Sequence, residues 1–130
     1  MDPIRTHETL DRRLCGEPVE VAPDRAVVAL TPGPEMVADG HGLVHGGFVF
    51  GLADHAAMLA VNHPHVVLGR AEMRFLAPVR VGETLTAEAR VGETEGAKIP
   101  VAVEVRRGSE VVAAGKMTCF TPERHVLLDR

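Results

Sequence analysis

His45-Gly46-Gly47 stands at the mouth of the longest apolar stretch in the chain, and Asp54 is the carboxylate inside that stretch. Most of residues 46–62 are apolar or small and Pro64 stops the run, so a helix of about four turns is expected there. The first amides of a helix lack intrahelical acceptors and lie at the positive end of its dipole, so they can hold a developing oxyanion. Glycines at 46 and 47 would let a ligand reach those amides. A carboxylate at 54 could serve as general base toward water, or as a nucleophile that forms a mixed anhydride with a polarised carbonyl.

Gly46 and Asp54 are eight residues apart, about 12 Å along a helix axis, which is beyond the reach of an Asp side chain. The two groups therefore call for two chains. If two such helices pack antiparallel across a twofold axis, Asp54 of one copy lies near Gly46 of the other, and a homodimer carries two equivalent sites.

The elements that must position these groups follow from periodicity. A short amphipathic helix is expected between Asp2 and Leu14, within residues 1–15, before Gly16. Val19 to Ala22 and Arg25 to Leu30 are β-branched stretches broken by Pro23-Asp24, which suits a hairpin or one interrupted strand. Residues 35–44 are expected to form a loop. After Pro64 the period changes to two. Ala71, Met73, Phe75 and Ala77 are expected on one face of a strand, with Arg70, Glu72 and Arg74 on the other. Three more alternating segments follow, around 85–91, 101–106 and 111–120. Turns centred on Gly82, Gly96 and Gly108 point to an antiparallel meander of four strands. A single helix this apolar is covered only if a curved sheet wraps it, so the fold class is α+β with the helix as filling, and the alternative is a generic sandwich with the helix on one face.

His45-Gly46-Gly47, followed by small and apolar residues and then Ala53-Asp54, resembles the active-site segment of the hotdog-fold 4-hydroxybenzoyl-CoA thioesterase superfamily, particularly its phenylacetate-degradation branch. Phe75-Leu76-Ala77-Pro78-Val79 and Val81-Gly82-Glu83 are similar to the strand and turn that follow the helix there. The resemblance spans about residues 25–120 in element order, and its specific part is the segment from His45 to Asp54. It implies a cross-subunit site for an acyl-CoA or acyl-carrier thioester, often in a dimer of dimers, with no cofactor. By that resemblance Gly46 supplies the oxyanion amide, Asp54 the catalytic carboxylate, and His45 shapes the loop. Gly47, Phe48, Phe50 and Met58 are the candidate substrate-lining positions, with core packing the competing reading for Phe50 and Met58.

One position departs from the family pattern. Six residues before the histidine many relatives carry Asn or Gln, whereas this chain has Asp39. An ionised Asp accepts hydrogen bonds but cannot donate them, and two nearby carboxylates would resist double ionisation. Asp39 is thus a candidate site residue that puts hydrolysis in question while leaving ligand binding untouched.

Competing readings stand beside these. Asp54 could be a structural polar group bonded to a backbone amide or hydroxyl. Histidines 41, 45, 55, 63 and 65 suggest metal ligation by type, but their spacing matches no metal motif, and no metal is expected. The glycines from 46 to 51 lack the lysine of a phosphate loop. Arg70, Arg74 and Arg80 could meet coenzyme A phosphates or be solvated charges. Cys119 and Ser109 have no evident base and read as structural. His45 also admits a dehydratase reading, ranked below hydrolysis and below a non-hydrolytic acyl-CoA-binding module.

At 130 residues, with 45% hydrophobic and 25% charged residues, the chain suits one domain with one core. A net charge of -4 with interspersed signs leaves no basic stripe, so nucleic acid is not an expected partner. No run is long and apolar enough for a membrane span or a secretory h-region, and Cys15 and Cys119 stand alone, as reduced thiols do, so a cytoplasmic protein is expected. With 3% aromatic residues and neither Trp nor Tyr, a short or medium aliphatic acyl chain is favoured.

Overall fold

Asp24, in the left-handed conformation at φ 59° after Pro23, turns the chain so that Glu17–Ala22 (β1) folds back on Arg25–Leu30 (β2). Of the two readings, hairpin or one interrupted strand, the hairpin is the one formed. The computed structural model of the chain describes residues 1–129. Its remaining strands are Val67–Phe75 (β3), Leu85–Val91 (β4), Ile99–Arg107 (β5) and Glu110–Phe120 (β6), its α-helices are Arg12–Cys15 (α1) and Gly46–Val61 (α2), and short 3-10 turns lie at Pro34–Met36 and Val126–Asp129. All strand pairs are antiparallel, in one sheet of order β1-β2-β4-β5-β6-β3.

The α2 helix touches all six strands, most extensively β4 and β2, so the sheet wraps it. Alternation supplies the lining: Ala26 and Val28 of β2, Leu85, Ala87 and Ala89 of β4, and Val101 and Val105 of β5 are all fully buried. From α2, Leu52, Ala53, Ala56, Ala57 and Leu59 fill the space between. Four of the buried helix positions are alanines, whose small side chains let the sheet approach on several sides. The helix ends at Asn62, left-handed at φ 51°, two residues before Pro64. No helix among the described residues is long and apolar enough to cross a membrane.

Two expectations are corrected. The N-terminal helix is confined to Arg12–Cys15, capped by the Asp11 side chain. Tertiary hydrogen bonds hold the preceding residues extended: Asp2 N–H donates to Val21 O at 2.8 Å, Arg5 N–H donates to Asn62 Oδ1 at 2.8 Å, and Asn62 Nδ2 donates to Pro3 O at 2.9 Å. A left-handed His7, at φ 51°, then excludes a continuous helix.

The second correction concerns the meander. β4, β5 and β6 follow one another as expected, but β3 crosses to the far edge and pairs with β6. The Gly82 turn belongs to this crossover, where Gly82 N–H donates to Pro32 O at 3.0 Å. Because α2 lies mainly over β2, β4 and β5, the expected apolar face of β3 stays largely uncovered, and Phe75 is 53% exposed. The two sheet edges differ in kind. Both carry a bulge, between Pro18 and Glu20 in β1 and between Leu68 and Arg70 in β3, but β1 also carries a proline, which discourages pairing, whereas β3 runs nine residues with none.

Candidate active site

The entry to α2 is built by the loop before it. Val37 bridges Val44, Leu43 bridges Arg80, Val44 N–H donates to Val79 O at 2.8 Å and His45 N–H donates to Met36 O at 2.9 Å. Inside the loop Asp39 Oδ1 accepts the N–H groups of His41 (2.8 Å) and Leu43 (3.3 Å), a local turn of the kind Asp favours. The fixed loop delivers His45 to the N-cap position with φ -62° and ψ 132°.

His45 Nδ1 accepts the Gly47 N–H at 3.0 Å, the side-chain cap of this helix. A Cβ on Gly47 would lie 3.0 Å from that same nitrogen, so a glycine lets the imidazole fold back over the helix start. Gly46 differs. A Cβ there would meet only Phe75 Cε1 at 4.0 Å, an ordinary contact, so nothing in the chain itself requires a bare backbone at 46. Gly46 is exposed, and as the first helical residue its N–H has no hydrogen-bond acceptor among the described residues. Phe75 thus stands near Gly46, and Phe48 packs edge-on to the His45 ring at 6.3 Å.

Asp54 lies two turns further along α2, half-buried, and its Oδ1 is buried without a hydrogen-bond partner among the described residues. The structural reading of Asp54 called for an amide or hydroxyl on its carboxylate, and among the described residues Oδ1 has neither. Burial pushes its carboxyl above the usual carboxylate range, and the charge of His7 pulls weakly the other way. Asp39 is not among the charges acting on it, so one chain does not couple the two carboxylates. Nor does one chain join Asp54 to Gly46, which stay at opposite ends of two helical turns.

The other candidates fall as follows. Met58 is buried, Phe48 and Phe50 are half-buried, and Gly47 is exposed beside Gly46. His55 is buried against Cys15, its Nδ1 3.2 Å from Cys15 O, and burial lowers its pKa. His63 Nδ1 accepts the His65 N–H at 2.9 Å. No group of three or more His, Cys, Asp or Glu side chains among the described residues is placed to hold a metal. Cys119 is fully buried, and burial, reinforced by Asp54, pushes its thiol up to about 11, where it is no nucleophile at neutral pH. Sequence reasoning missed two residues. Phe75 read as a strand's core face, and its nearness to Gly46 depends on the crossover. His7 carried no sequence signal linking it to Asp54.

Residues 41–114 match the model of the thioesterase superfamily. Among solved structures, protein PH1136 from Pyrococcus horikoshii is 52% identical over 97% of each chain, with a TM-score of 0.95. The PaaI protein from the phenylacetic acid degradation operon of E. coli is 26% identical, with a TM-score of 0.81 over 92% of this chain and 88% of that one. The transcription factor FapR of Shouchella clausii is 31% identical over 81% of this chain and 56% of its own length. A methylthioribose-1-phosphate isomerase of Aquifex aeolicus is 50% identical over 87% of this chain but only 25% of its own length. The chain thus spans a quarter of one of these curated relatives and just over half of the other.

Proposed function

This chain belongs to the thioesterase superfamily, with the hotdog fold, and from that premise we propose that it is an acyl-CoA thioesterase for short or medium acyl chains, working at a homodimer interface. The observation that carries the reading is the pairing of two unsatisfied groups on one helix: an exposed first amide at Gly46 and a buried, unpartnered carboxylate at Asp54. Each lacks what the other's reaction partner would supply. A thioester carbonyl on the Gly46 N–H is polarised toward attack, and Asp54 of the second copy takes the proton from the attacking water or attacks the carbon itself. His45 occupies the Gly47 amide and thereby leaves Gly46 as the donor. A second copy is supported by the open β3 edge and by the exposed apolar side chains of Phe75 and Leu76 at its end.

The test is complementation. Asp54→Asn and Gly46→Pro chains are each expected to be inactive toward acyl-CoA, and mixing them is expected to restore thiol release, since one of the two sites in a mixed dimer is intact. No recovery in demonstrated mixed dimers would refute the cross-subunit site. A second reading, an acyl-CoA-binding module with negligible turnover, is favoured by the FapR relatives and by Asp39. Tight binding of acyl-CoA without thiol release would select it.

A further inference from the structure

Gly51, Asp54, Met58 and Asn62 recur at intervals of three and four, with His55 beside Asp54, so they share one face of α2 and its C-cap. The N-terminal segment runs antiparallel along that face as a strap. At one end the Arg5 N–H and Pro3 O are tied to the Asn62 side chain. At the other, Cys15 O lies 3.2 Å from His55 Nδ1, and Cys15 Sγ would lie 3.7 Å from a Cβ on Gly51. Asp54 therefore sits under the span of chain between Arg5 and Cys15.

His7 belongs to that span. Asp54 is eight residues before Asn62, about 12 Å along the helix axis. Two extended residues beyond Arg5, about 7 Å, with an imidazole added, cover that distance. His7 holds a φ of 51°, which costs a histidine backbone strain, and its imidazole makes no hydrogen bond among the described residues. The side chain is exposed, whereas Asp54 Oδ1 is buried without a partner, and the charge of His7 acts on Asp54 against the effect of burial. The other titratable groups nearby do not share this role. Burial, and then Asp54, hold the thiols of Cys15 in α1 and Cys119 in β6 protonated, and burial opposes a charge on His55, which also feels Arg12 and Glu17. Glu8, His65 and His125 share a pocket of about 320 Å³ with His7. None of these, among the described residues, acts on Asp54 as His7 does.

We propose that His7 is a positioning residue of the hydrolytic site, carried over α2 by the N-terminal strap as the counter-charge to the Asp54 carboxylate. The inference rests on the reading of Asp54 as the base. Burial disfavours a carboxylate most where no bond compensates it. A cation on a solvent-facing side chain offsets part of that cost and leaves the carboxylate oxygens open to water or a thioester. Histidine ordinarily carries its proton below neutrality, where a buried carboxylate is first at risk of protonation.

The experiment records kcat/KM against pH for acyl-CoA hydrolysis by the natural chain, His7→Asn, His7→Gly and His7→Lys. Asn and Gly suit the left-handed backbone and remove the charge. In both, the acid limb is expected to move to higher pH, with about threefold less activity on that limb, the worth of one partly screened charge pair. Added salt should narrow the difference. His7→Lys, a cation throughout, is expected to keep the natural limb. A limb unmoved in Asn and Gly, a limb moved as far in Lys, or turnover lowered alike at every pH would overturn the proposal. If the natural chain hydrolyses no acyl-CoA, the reading of Asp54 as the base fails by itself, and His7 is judged by following the Asp54 carboxyl resonance with pH. A midpoint higher in His7→Asn than in the natural chain supports the counter-charge; an equal midpoint overturns it.

Discussion

The imidazole of His45 accepts the Gly47 N–H at 3.0 Å, and that bond decides which of the first amides of α2 stays open. Removing it is expected to act on stability first. His45→Ala should lose about 1 kcal/mol, the usual worth of a side-chain N-cap, whereas His45→Asn, whose side-chain oxygen can cap in the same place, should stay within a few tenths of the natural chain. Urea unfolding of both variants checks this, and an Ala variant as stable as the natural chain would show the cap to be idle.

Asp54→Asn is expected to stabilise the fold at pH 7, by on the order of 1 kcal/mol, while abolishing turnover. Burial raises the folded-state pKa of Asp54 above its unfolded value, so the folded chain binds the proton more tightly. Its stability therefore falls as pH rises between those two values, and the penalty is fully present above the folded-state pKa. The gain from Asn should shrink on acidification through the raised pKa. Thermal melts of the two chains at several pH values read this directly, and a destabilised Asn variant would show that Asp54 has a partner in the assembled protein.

With Asp54 as the proposed base, the same raised pKa sets the expected acid limb of turnover. A base must be ionised to act, so kcat/KM is expected to fall on acidification through an apparent pKa above the ordinary aspartate range. A limb at the ordinary aspartate value would assign the titration to another group.

Asp39→Asn separates the turn from the chemistry. The asparagine carbonyl oxygen can accept the His41 and Leu43 amides as Asp39 Oδ1 does, so stability should change by less than about 0.5 kcal/mol. Turnover is expected to rise, or its pH profile to shift, if the carboxylate opposes Asp54 across the interface. No change in either would leave Asp39 as a turn residue alone.

Gly115→Ala should be among the costly single-methyl changes in the sheet. A Cβ there would sit 2.0 Å from Glu72 O and 2.8 Å from Met73 Cα, backbone atoms of the paired strand β3. Overpacking against backbone is expected to cost about 3 kcal/mol, read as a shift in the urea midpoint, and the loss should fall on the edge where β3 pairs with β6. A midpoint within error of the natural chain would mean that β3 moves aside freely.

Much of this architecture was legible because it is written in local periodicity. The helix over 46–61, the hairpin at Pro23-Asp24 and the run from β4 to β6 each depend on neighbours in sequence. The position of β3 does not: the Gly82 turn looks like any hairpin turn, and only the competition between β4 and β6 for an edge decides the pairing. The extended N-terminal segment was hidden for the same reason, since its anchor, Asn62, is 57 residues from Arg5. At the site, residue types marked Gly46 and Asp54, but the orphaned oxygen of Asp54 and the approach of Phe75 belong to packing.

Asn62 also imposes an order of events on the young chain. Pro3 and Arg5 are made long before the side chain that clasps them, and that side chain is in place only once α2 has wound to its left-handed end. Until then the bond from Asp2 N–H to Val21 O is left to hold the segment. In the finished molecule the Arg5 amide becomes a reporter: its hydrogen exchange should keep time with the fraying of the last turn of α2, although its acceptor lies 57 residues away in sequence.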